Sequence, residues 1–485
     1  MTNIAEARRV IEQACALGAT DFCVCAGSRN APLLAVLGAS DLRVYSFVDE
    51  RSAAFFALGR AKLTGRPTAV VTTSGTAVAE LLPAAIEAHY SGTPLILITA
   101  DRPARYRGTG APQSIEQEEI FGVYARGSVT HINVEFDEPL IDEEVAWERG
   151  RPGRSARADR SVSTAGETPA LPGRRPLVIL GGLHESARTA AREFATKLNA
   201  PIYAEPLSGL RDDPDLAHLI ITAGERMIGR GDFDSVIRIG NVPTLRFWRD
   251  LDESRRDLPL ISFSALAFTG CSRGEVHPLE ALPTEIAPRD RDDAFFAGDR
   301  ERAAAIARIL DDEPESELAM FRSLSQSIVP NARVYLGNSL PIREWDLAAT
   351  RSTRGFEIAA NRGANGIDGQ LSTFFGQCDS SRPNVAIVGD LTAIYDSNAP
   401  WLVAQLNAGI DWRIVIINNG GGRIFSRVPS LRKLDVTMRE RIIENAHGIR
   451  FDHWAAMWGI EDRVTELRPD ADATRRAWAR HDALW

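Results

Sequence analysis

Two short polar stretches in the C-terminal third carry the residue types that a hard cation requires. Gly389-Asp390 closes the apolar run Val385-Ala386-Ile387-Val388, and Asn418-Asn419-Gly420-Gly421 closes a second, Ile414-Val415-Ile416-Ile417. Each run reads as a buried parallel strand, with helical sequence over 399–406 between them. An acid and an amide at the ends of neighbouring strands suit a divalent ion held against a diphosphate. The carboxylate, the amide oxygen and a nearby backbone carbonyl supply oxygen ligands, and the glycines let the chain come close. Such pairs also occur in ordinary turns at strand ends, so alone they decide little.

The N-terminal third adds a carboxylate. Val48-Asp49-Glu50-Arg51 follows a mostly apolar run, 44–47, and opens a helical stretch over 52–62. An acid in a first helical turn is favoured by the helix dipole, and Glu50 by itself needs no other explanation. Paired with the distant cation motif, it reads instead as a group whose pKa burial raises, suited to sharing a proton.

Composition bounds the rest. A chain of 485 residues, 44% hydrophobic and 25% charged, is ordinary for a globular protein and has room for about three domains. Its net charge of −9 argues against nucleic acid or an anionic membrane as partner. The longest apolar stretch, near 69–88, is interrupted by Thr, Ser, Gly and Glu80 and falls short of a membrane span. Residues 1–17 carry Glu6, Arg8, Arg9 and Glu12 on an amphipathic helix pattern, unlike a signal peptide. The five cysteines (Cys15, Cys23, Cys25, Cys271, Cys378) lack Cys-x-x-Cys spacing and read as reduced thiols of a cytoplasmic protein.

The elements that must position these residues form three α/β blocks, each a doubly wound parallel sheet with ligands at its strands' carboxyl ends. Block one (1–148) has strands over 22–25, 68–73 and 94–100, ending at Ser28-Arg29, Ser74-Gly75 and Asp101-Arg102, and a helix over 78–90. Residues 149–175, dense in Arg, Gly, Ser, Pro and Ala, read as a flexible linker or insertion. Block two (176–288) has strands over 177–180, 235–240 and 258–263. Its Gly181-Gly182 lacks the spaced third glycine of a dinucleotide turn and reads as a tight connection. An acidic, Ala-rich helical linker over 289–317 leads to block three (318–485), with strands over 334–336, 358–360, 385–388 and 414–417. Blocks one and three read as two copies of one plan. No strand follows the helical pattern over 473–480, where one is expected, which points to a truncated end.

Assembled, these motifs resemble the 2-succinyl-5-enolpyruvyl-6-hydroxy-3-cyclohexene-1-carboxylate synthases, thiamine diphosphate enzymes of menaquinone biosynthesis. The resemblance runs through residues 26–33, 49–51, 73–79, 99–103, 337–340 and 418–425, and through Gly389-Asp390. Its most specific part is Asn361-Arg362-Gly363-Ala364-Asn365-Gly366-Ile367-Asp368-Gly369, which separates this family from other thiamine enzymes. Leu391 stands where the diphosphate signature usually has a small residue, and the middle block matches weakly.

The resemblance implies thiamine diphosphate and Mg²⁺, with Mn²⁺ as a substitute, and a homodimer or homotetramer with the cofactor between subunits. Glu50 would activate the cofactor at its pyrimidine N1′. Asp390, Asn419 and the Gly421 carbonyl would hold the metal. Ile367 would support the cofactor's bent shape, with Ser74, Gly75, Gly389, Leu391 and Ile424 also against it. Ser28, Arg29, Arg102, Gln113, Ser339, Arg343, Arg362 and Phe425 would line the substrate pocket, and a basic residue of the middle block falls at Arg246. The implied reaction decarboxylates 2-oxoglutarate and adds the succinyl carbanion to isochorismate.

The charge pattern agrees with that implication. Arg29, Arg51, Arg102, Arg343, Arg362 and Arg423 recur at the expected strand ends of an acidic chain, and arginine's fork suits dicarboxylates. Most arginines in most proteins are simply surface residues. None of the eight histidines is adjacent to another, and His89, His447 and His453 read as structural. Two alternatives stay open: another thiamine diphosphate carboligase or 2-oxoacid decarboxylase, and a non-catalytic paralogue that binds ligand.

Overall fold

The computed structural model describes residues 2–143 and 169–485. Its strands are β1 (Asp21–Cys25), β2 (Arg43–Phe47), β3 (Thr68–Thr72), β4 (Leu95–Asp101), β5 (Val129–Glu135), β6 (Pro176–Leu180), β7 (Ile202–Ala204), β8 (Ser235–Ile239), β9 (Leu260–Phe263), β10 (Glu275–His277), β11 (Arg333–Leu336), β12 (Glu357–Ala359), β13 (Asn384–Gly389), β14 (Trp412–Ile417) and β15 (Val464–Leu467). They form three five-stranded sheets, ordered β2-β1-β3-β4-β5, β10-β9-β8-β6-β7 and β12-β11-β13-β14-β15. Every pairing is parallel. Read from its other edge, the middle sheet has the same order as its neighbours, so the plan expected twice occurs three times. The third sheet has its five strands ahead of the last helix, Ala471–Asp482, with β15 at its edge.

Continuous apolar runs form the inner strands because both faces are covered. Successive residues of a strand point to opposite faces, and the third sheet divides its contacts accordingly. Val334, Leu336, Val385, Ile387, Val415 and Ile417 join the core of the middle sheet. Tyr335, Ala386, Val388, Ile414 and Ile416 join a core shared with the first sheet. The third sheet is thus held between the other two blocks.

Helix Asp293–Asp312 occupies the stretch read as a linker, and it buries Phe295, Phe296, Ile306, Ile309 and Leu310. Its buried Asp299 accepts from the backbone N–H groups of Thr222 and Ala223. The expectation for 149–175 lies outside the described residues up to 168. The helix expected over 78–90 is two, Thr76–Ala79 and Leu82–Ser91, with Pro83 in the first turn of the second.

Candidate active site

The carboxyl ends of the third sheet border a cavity of about 110 Å³. Gly389 and Asp390 reach it from β13, Asn419 and Gly421 from beyond β14, Ser339 from the turn after β11 and Ile367 from the loop after β12. Leu391, Ile424 and Phe425 complete its wall. Asp390 is buried, and its Oδ2 accepts from the N–H groups of Gly420 (2.8 Å) and Gly421 (2.9 Å), its Oδ1 from Leu391 (2.6 Å). Burial raises its pKa more than these donors lower it.

Asn419 donates through Nδ2 to Glu317 Oε1 at 2.9 Å, which leaves its Oδ1 buried without a hydrogen-bond partner among the described residues. A buried amide oxygen with nothing to accept from, beside a carboxylate, fits a cation. At Gly421 (φ 135°) a Cβ would fall 2.6 Å from the Glu444 carbonyl oxygen, so the turn takes only glycine. Carboxylate, amide and backbone oxygens suit a hard divalent ion whose remaining ligands come from phosphate and water. Among the described residues no group of three His, Cys, Asp or Glu side chains is placed to hold a metal without such help.

A second cavity of about 810 Å³ opens between the middle and third blocks and shares Leu340 and Ile424 with the first. Arg246, Arg343 and Arg362 line it, facing Glu205, Glu225 and Asp346. Arg362 donates to Asn338 Oδ1 at 2.9 Å. Burial pulls its pKa down to about 10, against the attraction of Glu205. Arg343 donates to the Ser339 carbonyl at 2.5 Å. Arg246 opens helix Arg246–Glu253 with an exposed side chain, 3.8 Å from Asp250. Glu205, past the end of β7, accepts from Thr244 N (2.9 Å) and Oγ1 (3.0 Å), and burial pushes its pKa up to about 7.

The first-block residues lie beyond the carboxyl ends of strands of the first sheet instead. Glu50 opens helix Glu50–Thr64, whose N-cap Asp49 accepts from Ser52 N at 3.0 Å. Burial, with the charges of Asp49 and Glu80 adding to it, raises the Glu50 pKa. Ser74 is buried with an Oγ that has no hydrogen-bond partner among the described residues, and Gly75 donates to Gln117 Oε1 at 3.2 Å. A Cβ at Gly75 would sit 3.1 Å from Gln113 Cα, so these two turns touch. Arg102 lies over the Tyr106 ring, 5.5 Å from its centroid. Arg29 is buried, donating to the Phe136 carbonyl at 2.9 Å and standing 3.5 Å from Glu138. Ser28 is exposed in the turn after β1. Neither Glu50 nor any of these residues lines either cavity.

Besides Arg29, two more arginines of the strand-end pattern are engaged by acids of their own chain. Arg51 donates to the Tyr395 carbonyl at 2.9 Å and lies between Asp49 and Asp396, while Arg423 pairs with Glu444 at 2.7 Å. Sequence reasoning missed Glu317 and Glu205, which belong to no local motif. It also read His447 only as structural, whereas His447 Nε2 stands 3.3 Å from Asp390 Oδ2.

Three like sheets, with an acid-opened helix on the first and an oxygen-donor cavity on the third, define a thiamine diphosphate enzyme. Residues 6–120 match the family model described as the N-terminal TPP-binding domain of thiamine pyrophosphate enzymes. The chain is 41% identical to a 2-succinyl-5-enolpyruvyl-6-hydroxy-3-cyclohexene-1-carboxylate synthase of Bdellovibrio bacteriovorus, with all of both chains covered. It is 38% identical to the enzyme of that name from Akkermansia muciniphila (96% of this chain, 92% of the relative). For the one from Bacillus velezensis the figures are 35%, 91% and 87%. The chain belongs to the 2-succinyl-5-enolpyruvyl-6-hydroxy-3-cyclohexene-1-carboxylate synthase family, and it is a thiamine diphosphate-dependent transferase.

Proposed function

We propose that the protein decarboxylates 2-oxoglutarate and adds the succinyl unit to isochorismate, in menaquinone biosynthesis, with thiamine diphosphate and Mg²⁺ (or Mn²⁺). The observation that carries this reading is the adjacency of two cavities sharing Leu340 and Ile424, one with free oxygen donors and one lined by arginines. Bound thiamine diphosphate would supply a thiazolium, an electron sink for the pair left behind when carbon dioxide departs. Asp390, the Asn419 Oδ1 and the Gly421 carbonyl would hold the metal, with Ile367 and Leu391 against the cofactor. Glu50 would share a proton with the aminopyrimidine N1′, a task that its raised pKa suits. Arg343 and Arg362, with Arg246 at the rim and Ser339 and Phe425 nearby, would pair the substrate carboxylates and exclude water from them.

Glu50, Ser74, Gly75, Ser28, Arg29, Arg102 and Gln113 stand outside both cavities of their own chain. They would therefore complete the site of a second subunit in a homodimer or a tetramer of such dimers. Five free cysteines suit action in the cytoplasm. The test is product formation from 2-oxoglutarate and isochorismate, with the mass of the active species measured in parallel. The reading expects product only when both substrates, thiamine diphosphate and a divalent metal are present, from a species no smaller than a dimer. Product without thiamine diphosphate, or full activity from a monomer, would overturn it.

A further inference from the structure

The loop 361–369 leaves β12 and carries both Arg362 and Ile367, yet much of what holds it comes from the first block of the same chain. Glu87, in helix Leu82–Ser91, is only 3% exposed. Its two carboxylate oxygens accept from consecutive backbone amides, Oε1 from Gly363 at 2.9 Å and Oε2 from Ala364 at 2.7 Å. Lys62, in the last turn of helix Glu50–Thr64, stands 3.4 Å from Glu87 Oε1. It also donates to Asn361 Oδ1 at 2.6 Å and to the Ala360 carbonyl at 3.2 Å. The loop backbone lies directly on the Glu87 helix, because a Cβ at Gly363 would fall 2.7 Å from the Glu87 carbonyl oxygen and 2.9 Å from Ser91 N.

The contacts continue to the guanidinium. Asn338 Nδ2 donates to the carbonyls of Asn361 and Gly366, both at 2.7 Å, and so ties together the two ends of the bend. Its Oδ1 accepts from Arg362 at 2.9 Å. The direction of Arg362 therefore depends on Asn338, which depends on the loop backbone, which depends on Glu87 and Lys62. A buried ion pair is a weak source of stability, since packed apolar side chains do as well at the same place. What a carboxylate with two amides and an ammonium adds is direction.

We propose that Glu87 and Lys62 are positioning residues that set the 361–369 loop from the first block and thereby aim Arg362 at a substrate carboxylate. The inference rests on the reading of Arg362 as a carboxylate-binding residue. It makes the fit between first and third blocks of one chain part of substrate recognition, separately from whatever the first block contributes through Glu50.

The test is a double-mutant cycle between Glu87→Gln and Arg362→Met, with KM for each substrate, kcat, cofactor half-saturation and melting temperature measured. Glutamine keeps the size of Glu87 but turns an amide nitrogen toward an N–H donor. Glu87→Gln is expected to raise the KM that Arg362→Met raises by about tenfold and to leave cofactor half-saturation within about twofold. In the Arg362→Met background the same change should add less than about twofold. Amide exchange at Gly363 and Ala364 should quicken in Glu87→Gln. Lys62→Met serves as a second variant with the same expected pattern if Glu87→Gln does not fold. A lower melting temperature with unchanged KM, or effects that multiply across the cycle, would overturn the positioning role. An Arg362→Met enzyme with both KM values unaltered would overturn the substrate reading beneath it.

Discussion

The first and third blocks have the same strand order, and their strand ends correspond one to one. Glu50 follows β2 where Arg362 follows β12; Ser74-Gly75 follows β3 where Asp390 follows β13; Arg102 follows β4 where Asn419 follows β14. At each pair the frame is alike and the chemistry is not. The first block presents an acid held half-buried and a serine hydroxyl without a partner among the described residues. The third presents an acid fixed by three N–H donors and an amide oxygen left free. A doubly wound sheet thus fixes where a ligand meets it, and the side chain at each strand end fixes what is done there. On the function proposed above, one copy would serve proton transfer and the other would hold charge.

The largest expected effects come from breaking that division at its two acids. Glu50→Gln keeps the shape of the side chain but removes the shared proton, so turnover should fall by at least about a hundredfold while the cofactor still binds. Near-normal turnover would reduce Glu50 to a helix-start acid. Asp390→Ala should act the other way round. Metal-dependent cofactor affinity should fall by at least the roughly 10–100-fold that loss of a mere supporting contact costs a metal site. Titrating cofactor and metal into both variants separates the roles, and equal losses of affinity would erase the contrast between the blocks.

How far this was legible in the sequence follows from burial. Inner strands such as β13 and β14 are covered on both faces and show as unbroken apolar runs. The edge strands β5, β7, β10 and β15 were missed, and β2 was seen only as a mostly apolar run. In β5 and β15 exposed or half-buried polar residues interrupt the run, as Thr130, His131 and Thr465 do, and β7 and β10 are only three residues long. That Asp390 and Asn419 would meet at one cavity was legible because each abuts a glycine at the end of a strand, and Glu50 was legible as the acid that opens a helix. Glu317 was not, because it meets Asn419 across 102 positions of sequence. Arg51 and Arg423 looked like free ligands for the same reason. Their partners Asp396 and Glu444 come from other turns that no local pattern ties to them.

A smaller effect would sharpen the division among the arginines. Arg343 and Arg362 line the large cavity, whereas Arg29 is already engaged by Phe136 and Glu138 of its own chain. Arg343→Met or Arg362→Met should each weaken apparent 2-oxoglutarate binding, raising its KM about tenfold, the worth of one charge-assisted contact, with cofactor affinity unchanged. Arg29→Met or Arg102→Met should act on isochorismate instead. Arginine-to-lysine variants should recover part of each loss, since lysine keeps the charge but not the fork. Single Met variants at all four positions with both KM values within about twofold of wild type would remove the dicarboxylate pocket from the comparison.

The middle block supplies the smallest test, and it is one of stability. Its sheet repeats the plan a third time, and the residue after its β7, where the first block has Glu50 after β2, is again a glutamate, Glu205. Burial pushes the Glu205 pKa from 4.5 up to about 7 in the folded chain, and burial likewise takes Asp396 from 3.8 up to about 6. Between the unfolded and folded values the native state holds the proton that the unfolded chain has released. Stability should therefore fall as pH rises from about 4 to 7 and level off above, by no more than about 3 kcal/mol for Glu205. Glu205→Gln, which keeps an acceptor for Thr244 without an ionisable group, should flatten the part of that fall between pH 5 and 7 and leave the part owed to Asp396. Denaturant midpoints across pH measure both. If wild type and variant run parallel over that range, the acid after β7 is ionised in the native state. It would then stand as a permanent counter-charge to Arg362, unlike the half-buried acid after β2.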